Sequence, residues 1–248
     1  MKRVIADTDG FGLIELTVVI IVIGILVGTA MKSLDVAVAE IRRVNTEREM
    51  ARLAKGIVGD PKRVTNGVRS DFGYVGDVGA FPTTLDDLVA NPGGYATWHG
   101  PYVPVDFAEN ANDYRFDEWG KAYTYGVTTI TSTGSGTSLV QQVAASTADY
   151  LLNQAAGKVT DGADASPGLL ADSVDIAITV PDGVGGTITK LYHPDAVGYF
   201  LMDSLPVGRH LLQVIYAPNA DTLTRYLTVL PRNRADSTRV YRFAQGYF

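Results

Sequence analysis

Few residues in this chain are placed to do chemistry, and the most conspicuous of them is an acid. Glu15 stands at the head of an apolar run, and from Leu16 to Met31 there is no charge at all. A carboxylate at mid-bilayer costs about 2.5–3.5 kcal/mol, less near the boundary, so an acid in such a place needs a partner. Elsewhere the inventory is mostly exclusions. Cysteine is absent, which removes disulfide frameworks, thiolate metal sites and cysteine nucleophiles. The three histidines, His99, His193 and His210, are too far apart in sequence to form a helical or hairpin metal pair. No Gly-x-Ser-x-Gly elbow, phosphate-binding loop, His-Glu-x-x-His helix or dinucleotide fingerprint occurs, so neither catalysis, a cofactor nor a metal is expected. With 27 acids against 21 bases the net charge is −6, and nucleic-acid binding, which needs clustered excess Lys and Arg, is not expected either.

The charge is uneven. Residues 1–10 are neutral, 11–58 hold six bases and five acids, and 59–139 hold five bases and ten acids. In the last part, Asp161 to Asp203 contains seven acids and one Lys, whereas Arg225 to Arg242 contains five Arg and one Asp. Asp161, Asp164, Asp172 and Asp175 are candidates for a cation site or for simple turn acids. The arginine cluster is a solvated strand surface or a face for an acidic partner, such as the Asp161–Asp203 face of a neighbouring subunit.

Phe11 to Met31 has the roughly 20 residues that span a bilayer core. After it, Leu34, Ala37, Val38, Ile41, Val44, Ala51, Ala54 and Ile57 follow helical spacing, interrupted at Thr46–Glu49. Gly59-Asp60-Pro61 is a helix stop, so one helix is expected over 11–58, roughly 70 Å long at 1.5 Å per residue. Thr83–Ala90 predicts a short helix capped by Thr83 or Thr84. Gly100–Val105 and Ala122–Ile130 predict short strands, and Thr131–Ser138 a flexible joint. Beyond it, Val174–Val180, Thr187–Tyr192, Val197–Met202, His210–Tyr216, Leu223–Leu230 and Thr238–Phe243 are β-branched and aromatic runs in sandwich rhythm.

Asp9-Gly10-Phe11-Gly12-Leu13-Ile14-Glu15-Leu16 and the apolar run after it resemble a type IV prepilin signal. The resemblance implies cleavage after Gly10 by a prepilin peptidase, methylation of the new N-terminal Phe11, and pairing of the Phe11 amine with Glu15 of an adjacent subunit. It also implies a cytoplasmic leader and an external globular part. The competing readings are an ordinary signal anchor with a stray Glu, or a secretory signal peptide cut at Ala37-Val38-Ala39. Lys32 to Asp35, lying between the apolar run and that site, speak against the second. Gly24-x-x-x-Gly28 fits a close helix-packing motif or merely tolerated glycines. Where related filaments carry a helix-loosening Pro, this chain has Lys32.

Phe81-Pro82-Thr83-Thr84-Leu85-Asp86-Asp87-Leu88, Trp98-His99-Gly100-Pro101-Tyr102 and Asp117-Glu118-Trp119-Gly120-Lys121-Ala122-Tyr123 resemble, in this order, segments of the major pseudopilin of type II secretion. Glu118 replaces that family's Pro. The resemblance implies a calcium loop rich in carboxylates after the turn, yet Val127–Ser138 holds none, so calcium is not carried over. Trp98, Tyr102, Trp119 and Tyr123 are expected to pack sheet against helix.

Gly157-Lys158-Val159-Thr160-Asp161, Gly198-Tyr199-Phe200, Leu205-Pro206-Val207-Gly208 and Tyr226-Leu227-Thr228-Val229 resemble a carboxypeptidase-regulatory-like, transthyretin-type β-sandwich. The expected fold class is therefore α+β: a long transmembrane and amphipathic helix packed on a small antiparallel sheet, followed by an all-β sandwich. The expected division is a leader over 1–10, the helix over 11–58 with a membrane span over 11–31, a pseudopilin-like domain over 59–138, a linker over 139–153 and the sandwich over 154–248. The expected function is a structural subunit of a type II secretion pseudopilus or related type IV filament, the alternative being a minor or adhesive pilin. The implied partners are further copies in a helical filament, the prepilin peptidase, an inner-membrane assembly platform and other minor pilins. The implied location is the inner membrane before assembly and a periplasmic or extracellular filament afterwards.

Overall fold

Helix α1, Leu13–Val58, stops where the chain can no longer continue it. Gly59 takes the left-handed conformation at φ +78° and donates its N–H to Lys55 O, and Pro61 follows. The computed structural model describes residues 12–103, 113–235 and 238–248. Two units are distinguished, one ending at Asn45 and one running Thr46–Phe248. In the first, α1 runs unbroken through Gly24, Gly28 and Lys32, so no loosening occurs at the two glycines.

The second unit begins with the last turns of α1, which bury Thr46, Met50, Leu53, Ala54, Ile57 and Val58. The buried stripe thus starts at Thr46, within the expected interruption. Its hydroxyl is satisfied there, accepting the Glu118 N–H at 3.3 Å. Leu53 and Ile57 are fully enclosed, each worth about 1.5–3 kcal/mol of burial. After α1 come the hairpin β1 (Val64–Thr65) and β2 (Val68–Arg69), helix α2 (Gly73–Val78) and a 3₁₀ turn at Leu85–Leu88. That turn is the expected short helix, held by Asp87, whose carboxylate accepts the N–H of Thr83 at 2.7 Å and of Thr84 at 3.2 Å. Strands β3 (Thr124–Tyr125), β4 (Thr129–Ser132) and β5 (Leu139–Gln142) form an antiparallel sheet in that order. One core cluster joins Met50, Leu53, Ile57, Val75, Leu88 and Ile130.

Two expectations differ here. Residues 100–103 are not a strand, and 104–105 lie outside the described residues. Thr131–Ser138 is not a joint: Thr131 and Ser132 belong to β4, and 133–138 form the tip of the β4–β5 hairpin. A Gly/Ser/Thr-rich segment suits a hairpin tip as well as a linker, and composition alone does not separate them.

After helix α3 (Ala148–Leu151) come the sandwich strands β6 (Asn153–Thr160), β7 (Val174–Pro181), β8 (Thr187–Tyr192), β9 (Tyr199–Leu205), β10 (Gly208–Tyr216), β11 (Asp221–Val229) and β12 (Thr238–Arg242). They form a four-stranded antiparallel sheet, β11-β10-β7-β8, and a three-stranded sheet, β12-β6-β9, in which β12 runs parallel to β6. Alternating side chains such as Ile176, Ile178, Phe200, Met202, Leu212 and Val214 fill the second core cluster. The fold is mixed α+β with a β-sandwich, as expected. The two clusters meet at defined points: Val207 packs into the first and gives its N–H to Tyr150 O at 2.7 Å, and Gly183 gives its N–H to Val78 O at 2.9 Å.

Candidate functional site

Gly10 and Phe11, the expected cleavage and methylation positions, lie outside the described residues. Glu15 is described, in the first turn of α1, where Oε2 accepts the Gly12 N–H at 3.0 Å. An acid there offsets the unpaired amides and positive dipole end of the helix. Every large apolar side chain from Leu13 to Ile41 is exposed, and by length and composition α1 can cross a membrane. A continuous apolar surface of this size needs lipid or other helices against it. A Cβ placed on Gly24 or Gly28 would meet nothing within 4 Å. Their faces are therefore open to close approach by another helix.

In the second unit, Asp117 is the centre of a polar hub that the sequence motif contained but did not explain. Its Oδ1 accepts the N–H of Trp119 at 3.0 Å and of Lys121 at 2.8 Å. Its Oδ2 accepts Ser132 Oγ–H at 2.6 Å and the Gly134 N–H at 3.0 Å. The carboxylate is buried and has a donor for each of its roughly four lone-pair directions. Gly134 is required at this place, because a Cβ on it would lie 2.4 Å from Asp117 Oδ2. The Asp-Glu-Trp-Gly turn is thereby fastened to the end of β4 and, through the Glu118 N–H and Thr46, to α1.

Trp98, Tyr102 and Tyr123 pack into or against the first core cluster, but with polar tips, whereas Trp119 does not belong to it. Tyr123 Oη donates to Glu49 on α1 at 2.7 Å, and Trp98 Nε1–H donates to Asp87 O at 2.8 Å. Trp98 and Tyr102 meet edge-on with centroids 5.6 Å apart, and Tyr102 Oη donates to Asp77 at 2.9 Å. Burial pushes the Glu49 carboxyl above its ordinary value; the Tyr123 bond opposes that, while Glu118 and Asp113 add to it and Arg52 opposes it. Burial raises Asp77 in the same way, against the bond from Tyr102. A carboxyl with a raised folded pKa favours folding at low pH, and that advantage is lost as pH climbs from the unfolded to the folded value. Glu49→Gln keeps an acceptor for Tyr123 and removes the charge. At pH 7 it should melt at or slightly above the native temperature, by less than about 1 kcal/mol at this half-exposed position. The difference should vanish near pH 4, and a drop in stability at pH 7 would show that Glu49 is needed as an anion.

The acids of the last part are not gathered into a cation site. Asp161 Oδ1 accepts the N–H of Ala163 at 2.8 Å and of Ala165 at 2.9 Å, and its Oδ2 accepts the Gly246 N–H at 2.8 Å. Those backbone donors hold its pKa below the ordinary value, the Gly246 bond being the largest influence. Asp164 pairs with Arg242 at 2.8 Å, Asp175 lies 3.4 Å from His193, and Asp182 and Asp195 each cap a turn through backbone N–H groups. Among the described residues no three His, Asp or Glu side chains form a metal-holding group. The acid-rich run is thus mostly turn acids. The arginine run is partly consumed within the chain, since Arg232 pairs with Asp149 at 2.9 Å and Arg242 with Asp164.

No family model matches the chain. A curated relative does: it is 32% identical over 126 residues to the type II secretion system core protein G of Xanthomonas campestris pv. campestris, an alignment covering 49% of this chain and 71% of the relative. A buried helix face, a small antiparallel sheet and an Asp-x-Trp-Gly turn tied to both accompany a likeness that spans most of that relative, and the chain belongs to the family of type II secretion system core protein G.

Proposed function

We propose that this chain is made as a prepilin and that its mature form is a structural, non-catalytic subunit of a type II secretion pseudopilus or a related type IV filament. The observation that carries the proposal is the single acid, Glu15, heading an apolar helix whose large apolar side chains from Leu13 to Ile41 are exposed among the described residues. On this reading the leader over 1–10 is removed after Gly10, Phe11 is methylated on its amine, and the amine keeps its positive charge. Residues 11–31 hold the subunit in the inner membrane as a single span. The assembly platform then draws the subunit into a periplasmic or extracellular homo-oligomeric filament, with other minor pilins as companions.

The proposed division continues with a pseudopilin-like domain over 59–138, a connecting segment over 139–153 whose strand β5 completes that domain's sheet, and a carboxypeptidase-regulatory-like sandwich over 154–248. Local chemistry supports the last assignment. Gly157 lies under Phe200, and a Cβ there would come within 2.2 Å of the ring, so the first-strand glycine and the Gly-Tyr-Phe aromatic need each other. Gly198, at φ +83°, brings its backbone against Val159 O. Asp161 anchors the loop after the first strand.

Intact-mass measurement tests the processing step. Chains from cells with prepilin peptidase should begin at a methylated Phe11, and chains from cells without it at Met1. A Met1 start in both would end the prepilin reading. The sandwich, a whole second core, also favours a minor or adhesive subunit. Abundance separates the two: a major subunit forms the body of purified filaments, and a minor one is present at a small fraction of it.

A further inference from the structure

We infer that the pseudopilin-like part of this chain is closed by a hydrogen-bonded carboxylate and an added strand, and that its stability does not depend on calcium. Resemblance to the major pseudopilins implies a calcium loop after the Asp-x-Trp-Gly turn, and the residues present do not fit one. A hard cation of this kind takes 6–8 oxygen ligands, several of them charged. The segment 127–138 contributes no carboxylate. Asp117 reaches this segment, and its lone pairs are already committed to Trp119, Lys121, Ser132 and Gly134. To ligate a cation it would have to give up some of these donors, among them the buried Ser132 hydroxyl, which would then be unsatisfied.

What stands in place of such a loop is a hairpin. Beyond the 133–138 tip the chain returns as β5, paired with β4 from Thr129↔Gln142 to Ser132↔Leu139. The return is then fastened further along. Val143 gives its N–H to Thr128 O at 2.9 Å, and Tyr150 packs edge-on against Phe81 with centroids 5.9 Å apart. Tyr150 O in turn accepts the Val207 N–H, so the sandwich pins the segment from its other end. A metal cross-link is useful where a segment lacks other ties. Here strand pairing, the Asp117 hub and the sandwich contact supply three.

The test uses the full processed chain in detergent, with intrinsic fluorescence as the readout, because Trp119 adjoins the hub. Melting temperatures in millimolar calcium and in excess chelator should agree, and calcium binding by equilibrium dialysis should be negligible. A site held at a hundred times its dissociation constant would instead raise the melting temperature by roughly 5–10 °C. Ser132→Ala removes one donor to a buried carboxylate and should lower the melting temperature by roughly 3–10 °C, with no recovery on adding calcium. Asp117→Asn should lower it further, since an amide nitrogen on either side faces two donors. One bound calcium per chain with a matching rise in melting temperature would overturn the inference, as would a Ser132→Ala chain that melts like the native one. Asp106 and Glu109 lie outside the described residues, and the dialysis covers any ligand they supply.

Discussion

Glu15→Leu should leave the protein in the membrane and still processed, yet abolish its filaments or shorten them severely. The substitution removes the charge at the head of the span, so insertion becomes easier. The Gly10–Phe11 bond should remain cleavable, because the residues flanking it are untouched. What should be lost is the attraction between the Phe11 amine and the carboxylate of an adjacent subunit. Breaking a poorly solvated pair by removing one member leaves the other charge uncompensated, a loss of about 3–5 kcal/mol per contact. Repeated at every subunit addition, that is enough to stop growth. The Gly12 N–H that Glu15 accepts within its own chain is a minor contribution, since an exposed helix-end interaction is worth about 0.3–1 kcal/mol. Shear preparations examined by electron microscopy, with intact mass confirming a Phe11 start, make the measurement. Normal filaments from a processed Glu15→Leu chain would reduce Glu15 to a helix-end acid.

The second large effect is expected inside the sandwich. Phe200 is 2% exposed and its ring lies across Gly157, whose added Cβ would stand 2.2 Å from Phe200 Cζ and 2.9 Å from Tyr241 Cε2. Phe200→Ala should cost about 3–5 kcal/mol through lost burial and the cavity left behind. Gly157→Ala should cost about 1–3 kcal/mol or more by overpacking, despite adding only a methyl group. The two effects share one space, so they should not add. With the Phe200 ring gone, the added methyl loses its two closest contacts, and the double variant should be more stable than the sum by about 1 kcal/mol or more. Denaturant unfolding of the four full-length chains provides the cycle. Additivity within about 0.5 kcal/mol would mean that the glycine is not held by the ring.

The parts of this molecule legible in its sequence are those that depend on neighbours a few residues away. An uncharged run, a Gly-Asp-Pro stop and alternating β-branched residues are local patterns, and they marked α1 and the sandwich strands closely: Thr187–Tyr192 coincides with β8, and Val174–Val180 falls one residue short of β7. Composition misjudged Thr131–Ser138, because glycine and hydroxyl residues serve hairpin tips and linkers alike. Helical periodicity also misjudged Thr46. A polar residue in an apolar stripe looks like an interruption until its hydroxyl is seen to meet the Glu118 N–H, 72 residues away.

Long-range pairings were decided by the tertiary structure alone. Glu49 with Tyr123, Asp117 with Ser132 and Gly134, Asp161 with Gly246, and Arg242 with Asp164 join residues that no local pattern relates. The sequence by itself determined a membrane-competent helix headed by one acid, a mixed α+β body without cysteine chemistry, and an acid-free segment after the Trp-Gly turn. Only the folded chain decided which carboxylates are spent on backbone donors and which keep lone pairs for a partner. The physical reason is that a polar group's availability depends on what surrounds it in space: a buried acid must be satisfied, and the donors that satisfy it come from wherever the chain returns.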